Sequence, residues 1–322
     1  MGLSTTFILI IVITAIIIII LSPFTKRLAN KWWFWAVIGL IAFAYAFLGR
    51  QLQYLVPEFR GQIYVALGRL EPPNQNLPDQ ISLNYSRLFL LDLCPFYIIF
   101  GSLALTFKNK TAAQVMAPFG LFGAGITLFG EIIHDVNNIS NLPNGVWFYI
   151  FVGSPQGELY FMIHYLSMIV SLMVICWTRN WRKIIFAYMH GFALFYFSWV
   201  LIIVSVIPQI IGNSTGVIRG DWIGGEYDAV GKFLNIPDWP RVMIVGYIIS
   251  YIVINAVILI RIGIQTWSTK WRFLVHNKML KHRWYVSSAQ KYLKHKKQTK
   301  KVLSVVKIKI VYFLRPRKQK LI

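Results

Sequence analysis

Apolar residues along this chain fall into runs of about 20, the length one helix needs to cross hydrocarbon, separated by shorter polar stretches. The first run, Thr6 to Leu21, is almost pure Ile and Leu. No basic residue precedes it and no small-x-small cleavage site follows, so it reads as a retained span and not as a signal peptide. Trp32 to Leu48 predicts a second span, opened by the pair Trp32 and Trp33 where an interfacial aromatic belt sits. Gly49 to Arg87 reads as a loop broken by Pro72-Pro73 and Leu77-Pro78, with room for a short surface helix. Five further runs follow: Leu88 to Phe107, Ala112 to Ile133, Glu158 to Cys176, Ile184 to Ile211, and Arg241 to about Ile260. The pattern predicts an all-α polytopic membrane helix bundle of about seven spans over residues 1–263, with a basic amphipathic tail over 264–322.

Charge adds an orientation to this picture. Of 322 residues, 57% are hydrophobic and 14% charged, and the net charge is +22. Lys26, Arg27 and Lys31, then Lys108 and Lys110, then Arg179, Arg182 and Lys183, and finally the tail all fall on one side of the alternating runs. The positive-inside rule makes that side cytoplasmic, with the N-terminus out and the C-terminus in. All eleven acids then fall in outer loops or at outer helix ends. From Arg261 onward there is no acid, and Lys and Arg alternate with Trp, Tyr, Phe and Leu, the composition of a segment lying on anionic inner-leaflet lipid. Nothing in it matches a nucleic-acid recognition fold, so no specific nucleic-acid partner is implied. Protein partners are not legible. The expected location is the cell membrane. Cys94 and Cys176 sit at opposite ends of their spans and are expected as thiols beyond disulfide reach.

Polar groups within spans are costly and therefore suspect. Cys94 and His164 each lie about six residues inside runs that enter from the outer side, roughly 9 Å down at the helical rise per residue. Tyr160, His164, Ser167 and Ser171 share one helix face, and Gly123, Thr127, Glu131 and His134 form a comparable stripe with Asp135 at its mouth. An imidazole beside a thiol can take its proton and later handle the acceptor's. The plainer alternative is that Cys94 fills space and His164 bonds a neighbouring helix. His134, Asp135, Glu131 and His164 are metal-ligating types without ligand spacing, so neither a metal nor a cofactor is implied.

Leu91-x-Leu93-Cys94, Asp135 after the fourth run, Phe161-x-x-His164 and Gly212-Asn213 together resemble the YwaF-like family of integral membrane proteins. That family is similar in turn to eukaryotic transmembrane lipid acyltransferases that depend on a cysteine. The resemblance covers about Leu88 to Ile260 and implies a nucleophile or acyl-carrying role for Cys94 and a base role for His164. Asn213 is a supporting polar group on the same grounds, and Asp135 an orienting one. On this reading Glu131, His134 and Asp135 orient the imidazole or fix a polar head group, and Tyr160 and Asn213 donate to an ester oxyanion. Asp92 and Pro95 around the cysteine, the added first span, the longer outer loop and the basic tail depart from the family. The activity implied is lipid acyl transfer through an acyl-cysteine. The competing class is a non-catalytic transporter or assembly partner, although no transporter-type inverted repeat is visible.

Overall fold

The computed structural model describes residues 3–25, 27–56, 78–134, 160–210 and 241–279, together with residues 292, 294, 295 and 298. Within them every regular element is helical: α1 (Leu3–Leu21), α2 (Trp32–Ala46), α3 (Pro78–Leu88), α4 (Leu93–Thr106), α5 (Lys110–His134), α6 (Tyr160–Trp177), α7 (Lys183–Val206) and α8 (Arg241–Met279). Two compact units are present, Met1–Ile262 and Gly263–Ile322.

Trp32–Gln51, Asn84–Thr106, Lys110–Leu128, Lys183–Val206 and Ile244–Ser268 are long and apolar enough to cross a membrane, and Ile8–Leu21 and Phe161–Trp177 are shorter apolar helices. Helix α1 is apolar on every face and exposes Ile13, Ile16 and Ile20. Such a helix suits an apolar solvent.

Helix α4 is central, packing along α2 on one side and α5 on the other, and α6 closes against α5. Glycine sets these distances. A Cβ at Gly39 would lie 2.5 Å from the carbonyl oxygen of Ser102, so α2 and α4 approach backbone to backbone there. On α5, Gly120 and Gly123 stand three residues apart and receive Tyr97 and Cys94, also three apart on α4. A Cβ at Gly125, in the same run of small residues, would meet nothing within 4 Å.

Polar groups clasp the bundle at the end where the basic loops gather. Lys108 Nζ, just past α4, lies 4.0 Å from the ring centre of Trp32 at the start of α2. Gln114 Nε2 donates to Thr178 Oγ1 at 2.9 Å and to the Arg179 carbonyl at 3.1 Å. Arg261 of α8 donates to the carbonyls of Ile175 and Thr178, filling acceptors that the end of α6 leaves open and opposing its negative dipole. Helix α1 is tied to α6 by Trp177 Nε1 donating to Ile18 O at 2.8 Å and Ser22 Oγ donating to Cys176 O at 3.0 Å.

Three boundaries differ from the sequence expectation. The second helix does not stop at Leu48: it passes through a π-helical turn, Phe47–Gln51, and a last α turn, Leu52–Leu55. The third run is not one helix, because α3 ends at Leu88 and α4 begins at Leu93. Pro95 explains that break, since its ring would clash with the Leu91 carbonyl in a continuous helix and it lacks an N–H to donate. The chain turns at Leu90, whose φ is +55°. The last helix runs to Met279 and not to about Ile260, because no proline interrupts Arg261 to Met279. In the second unit, Trp267 and Trp271 stack with ring centres 6.0 Å apart and both are exposed.

Candidate functional site

The break between α3 and α4 leaves carbonyls without helical partners inside an apolar segment, where each must be satisfied by protein. Three elements supply donors. Gln51 Nε2, from the extension of α2, donates to Arg87 O at 3.1 Å and Leu88 O at 2.9 Å. From α7, Trp199 Nε1 donates to Phe89 O at 2.9 Å and Tyr196 Oη to Leu91 O at 2.6 Å. The amide of Phe96 closes the first turn of α4 on Asp92 O at 3.1 Å. The irregular backbone is thus held from both sides.

Asp92 occupies the N-cap of α4, but its carboxylate does not cap the helix. It accepts from Arg50 Nη2 at 3.3 Å, with the side chains 10% (Arg50) and 23% (Asp92) exposed. The π turn brings Arg50 and Gln51 inward, and both are buried. Arg50 Nη1 has no hydrogen-bond partner. Tyr54, one turn on, lies between two cations: Arg50 and Arg87 approach its ring at 5.9 and 5.8 Å, and Arg87 Nη1 donates to its hydroxyl at 2.7 Å.

Cys94 is the second residue of α4, so it stands in the first turn of a helix and not one turn inside it as the unbroken run suggested. It is buried in a small cluster with Ala124 and Leu128 of α5 and Phe161 and Met168 of α6. A Cβ at Gly123 would lie 2.8 Å from its sulfur. His164, one turn after Phe161, is buried and stands in the field of Arg50, Asp92 and Arg87. Ser167 and Ser171 on the same face are fully buried and their hydroxyls have no hydrogen-bond partner. Ser171 also faces the Tyr97 hydroxyl, short of hydrogen-bond geometry. Thr127, on the α5 stripe, is buried too.

Asp135 and Asn213 lie outside the described residues. Tyr160, Glu131 and His134 belong to described helices, but their side chains fall outside the description. Arg50, Gln51, Tyr54, Arg87, Tyr196 and Trp199 did not emerge from the sequence. One signal for Arg50 was available: a carboxylate inside an apolar run requires a cation, and Arg50 stands just past the end of a neighbouring run.

Apolar helices exposing aliphatic residues, with polar groups gathered around a broken helix, define a membrane helix bundle. The chain belongs to the Family of unknown function (DUF5378), whose model matches residues 8–307. It is 41% identical over 253 residues to "Uncharacterized protein MG135" of Mycoplasma genitalium, covering 77% of this chain and 85% of that protein. It is 37% identical over 236 residues to "Uncharacterized protein MG135 homolog" of Mycoplasma pneumoniae, covering 72% of this chain and 80% of that protein. No solved structure matches.

Proposed function

We propose that this protein is a multi-pass cell-membrane lipid acyltransferase working through an acyl-cysteine at Cys94. The observation that carries the reading is the placement of Cys94 in the first turn of a helix broken within an apolar segment, beside the α6 face that bears Phe161 and His164. Helix N-termini stabilise negative charge, here the charge on the sulfur as the thiol gives up its proton. Cys94 attacks the carbonyl carbon of a lipid ester, the C–S bond forms, the ester C–O bond breaks, and the thiol proton passes through His164 to the departing alcohol. In the second half a hydroxyl of the acceptor attacks the thioester, its proton goes to the imidazole, and the thiol is restored. Arg50 suits an anionic head group at the mouth, and Asp92 is the described carboxylate whose field reaches His164. Asp135, Glu131 and His134 keep the orienting or head-group roles, and Tyr160 and Asn213 the oxyanion roles, that their types and positions in the sequence suggest; the resemblance itself carries Asn213 and Asp135. The test is mass spectrometry of protein exposed to phospholipid, which is expected to find a hydroxylamine-labile acyl mass on the Cys94 peptide. No adduct with any lipid class returns the bundle to the transporter or assembly-partner class.

The same reading counts α1 and α6 as spans beside the five longer segments, making seven, with the N-terminus outside and the C-terminus inside. The basic tail lies on anionic inner-leaflet lipid, with the exposed Trp267 and Trp271 pair at its start. A reporter fused after Lys110 or Arg182 is expected to read cytoplasmic, and one within Val136 to Gly157 external. An external reading after Arg182 reverses the orientation and moves the site to the inner leaflet.

A further inference from the structure

A cavity opens in the bundle among residues of α4, α5, α7 and α8. It has a volume of about 620 Å³ and lies chiefly between α7 and α8, with Leu93 and residues of α5 reaching its wall. This is the size of a small-molecule site, which typically runs about 300–1,000 Å³. Most of its lining is aromatic or aliphatic, including Phe119, Phe122, Phe197 and Ile254, and among the described residues no Asp, Glu, Lys or Arg lines it. Leu201 and Ile248 line it and are also exposed on the outer apolar surface, so its mouth faces hydrocarbon.

Four polar residues of the lining, His190, Ser250, Tyr251 and Asn255, each spend a donor on a bond within the protein. Phe186 O can only accept, so His190 Nδ1, 2.8 Å away, carries the proton. In the neutral ring Nε2 then accepts, and Tyr251 Oη, 3.0 Å away, donates to it. Ser250 Oγ donates to Gly246 O at 2.6 Å, and Asn255 Nδ2 donates to Tyr251 O at 2.7 Å. These bonds leave acceptor lone pairs on Ser250, Tyr251 and Asn255, beside the second Nδ2 hydrogen of Asn255. Asn255 Oδ1 is the telling one, because it is buried and has no hydrogen-bond partner. An orphan acceptor in hydrocarbon is costly, and no water-filled bulk is at hand to relieve it.

We propose that this cavity binds a neutral lipid bearing a free hydroxyl. The hydrocarbon body lies against the aromatic wall and the hydroxyl donates to Asn255 Oδ1, with Tyr251 Oη and Ser250 Oγ as further acceptors. An ester, ether or plain alkyl chain brings no donor, and a phosphate or ammonium meets no counter-charge among the described lining residues. The site stands independently of acyl transfer at Cys94.

The experiment uses full-length protein in phosphatidylcholine nanodiscs and two photoactivatable probes of equal chain length, a long-chain alcohol and its methyl ether. The alcohol is expected to label the α7–α8 region roughly tenfold more efficiently, the size of one hydrogen bond to a buried acceptor. Asn255→Leu is expected to remove the preference while keeping some labelling by both. Gly246→Leu fills the cavity, since a Cβ at Gly246 meets nothing within 4 Å, and is expected to suppress labelling by both probes even where Asn255→Leu does not fold. Competition by a sterol, a diacylglycerol and a fatty alcohol then identifies which hydroxyl lipid the site takes. Equal labelling by alcohol and ether, an undiminished preference in Asn255→Leu, undiminished labelling in Gly246→Leu, or no competition by any of the three lipids overturns the proposal.

Discussion

Asp92→Ala is expected to destabilise the bundle by about 3–5 kcal/mol, the typical cost of leaving a buried charge without its partner. Arg50 is the charge in question, with its side chain 10% exposed and one guanidinium nitrogen bonded to the Asp92 carboxylate at 3.3 Å. The carboxylate makes no cap on α4, and Gln51, Tyr196 and Trp199 bond backbone carbonyls, so the loss is that of the ion pair. The paired replacement Arg50→Met with Asp92→Leu is expected to recover most of the loss, because apolar residues of similar volume replace a buried ion pair at little net cost. Detergent-solubilised protein unfolded by heat or denaturant reads both. Parent-like stability in Asp92→Ala means that Arg50 straightens to the interface and finds solvent there.

Cys94→Ser is expected to abolish the acyl adduct altogether, His164→Ala to slow its formation by roughly 10²–10⁴-fold as loss of a general base does, and Cys176→Ser to change neither. Serine keeps nearly the volume of cysteine, and Cys94 is buried in its cluster, so the variant tests nucleophilicity with little packing cost. Cys176 lies at the opposite end of α6, where Ser22 bonds its carbonyl. Parent-like adduct in Cys94→Ser removes the cysteine mechanism, and an unchanged rate in His164→Ala removes the imidazole from it.

The helices were legible because each is one apolar run, and a run of that length has few alternatives. Their ends were less so. The second helix continues past Leu48 into Arg50 and Gln51, which read as loop because a side chain's burial depends on what it meets across the bundle, here Asp92 and the end of α3. Pro95 was visible inside the third run, yet its consequence for Cys94 needed the Leu90 turn and the donors from α7 that make a break affordable in hydrocarbon. At the candidate site, the sequence singled out Cys94 and His164 by type and depth, whereas the arginine and tyrosine chemistry around them comes from residues far apart in the chain. The His190–Tyr251 contact was likewise out of reach, since it joins residues 61 positions apart.

The π turn at Phe47–Gln51 makes the location of Arg50 a matter of counting. A π turn amounts to one residue more than a regular helix would use over the same length. Each residue turns an α-helix by about 100°, so a lineage that lost a single residue there would carry the same arginine on a different meridian, facing lipid instead of Asp92. The reading frame of the ion pair is therefore set by one surplus residue in the turn that carries Arg50. A one-residue gap at this place in a relative would mark the site's loss more sharply than any substitution within it.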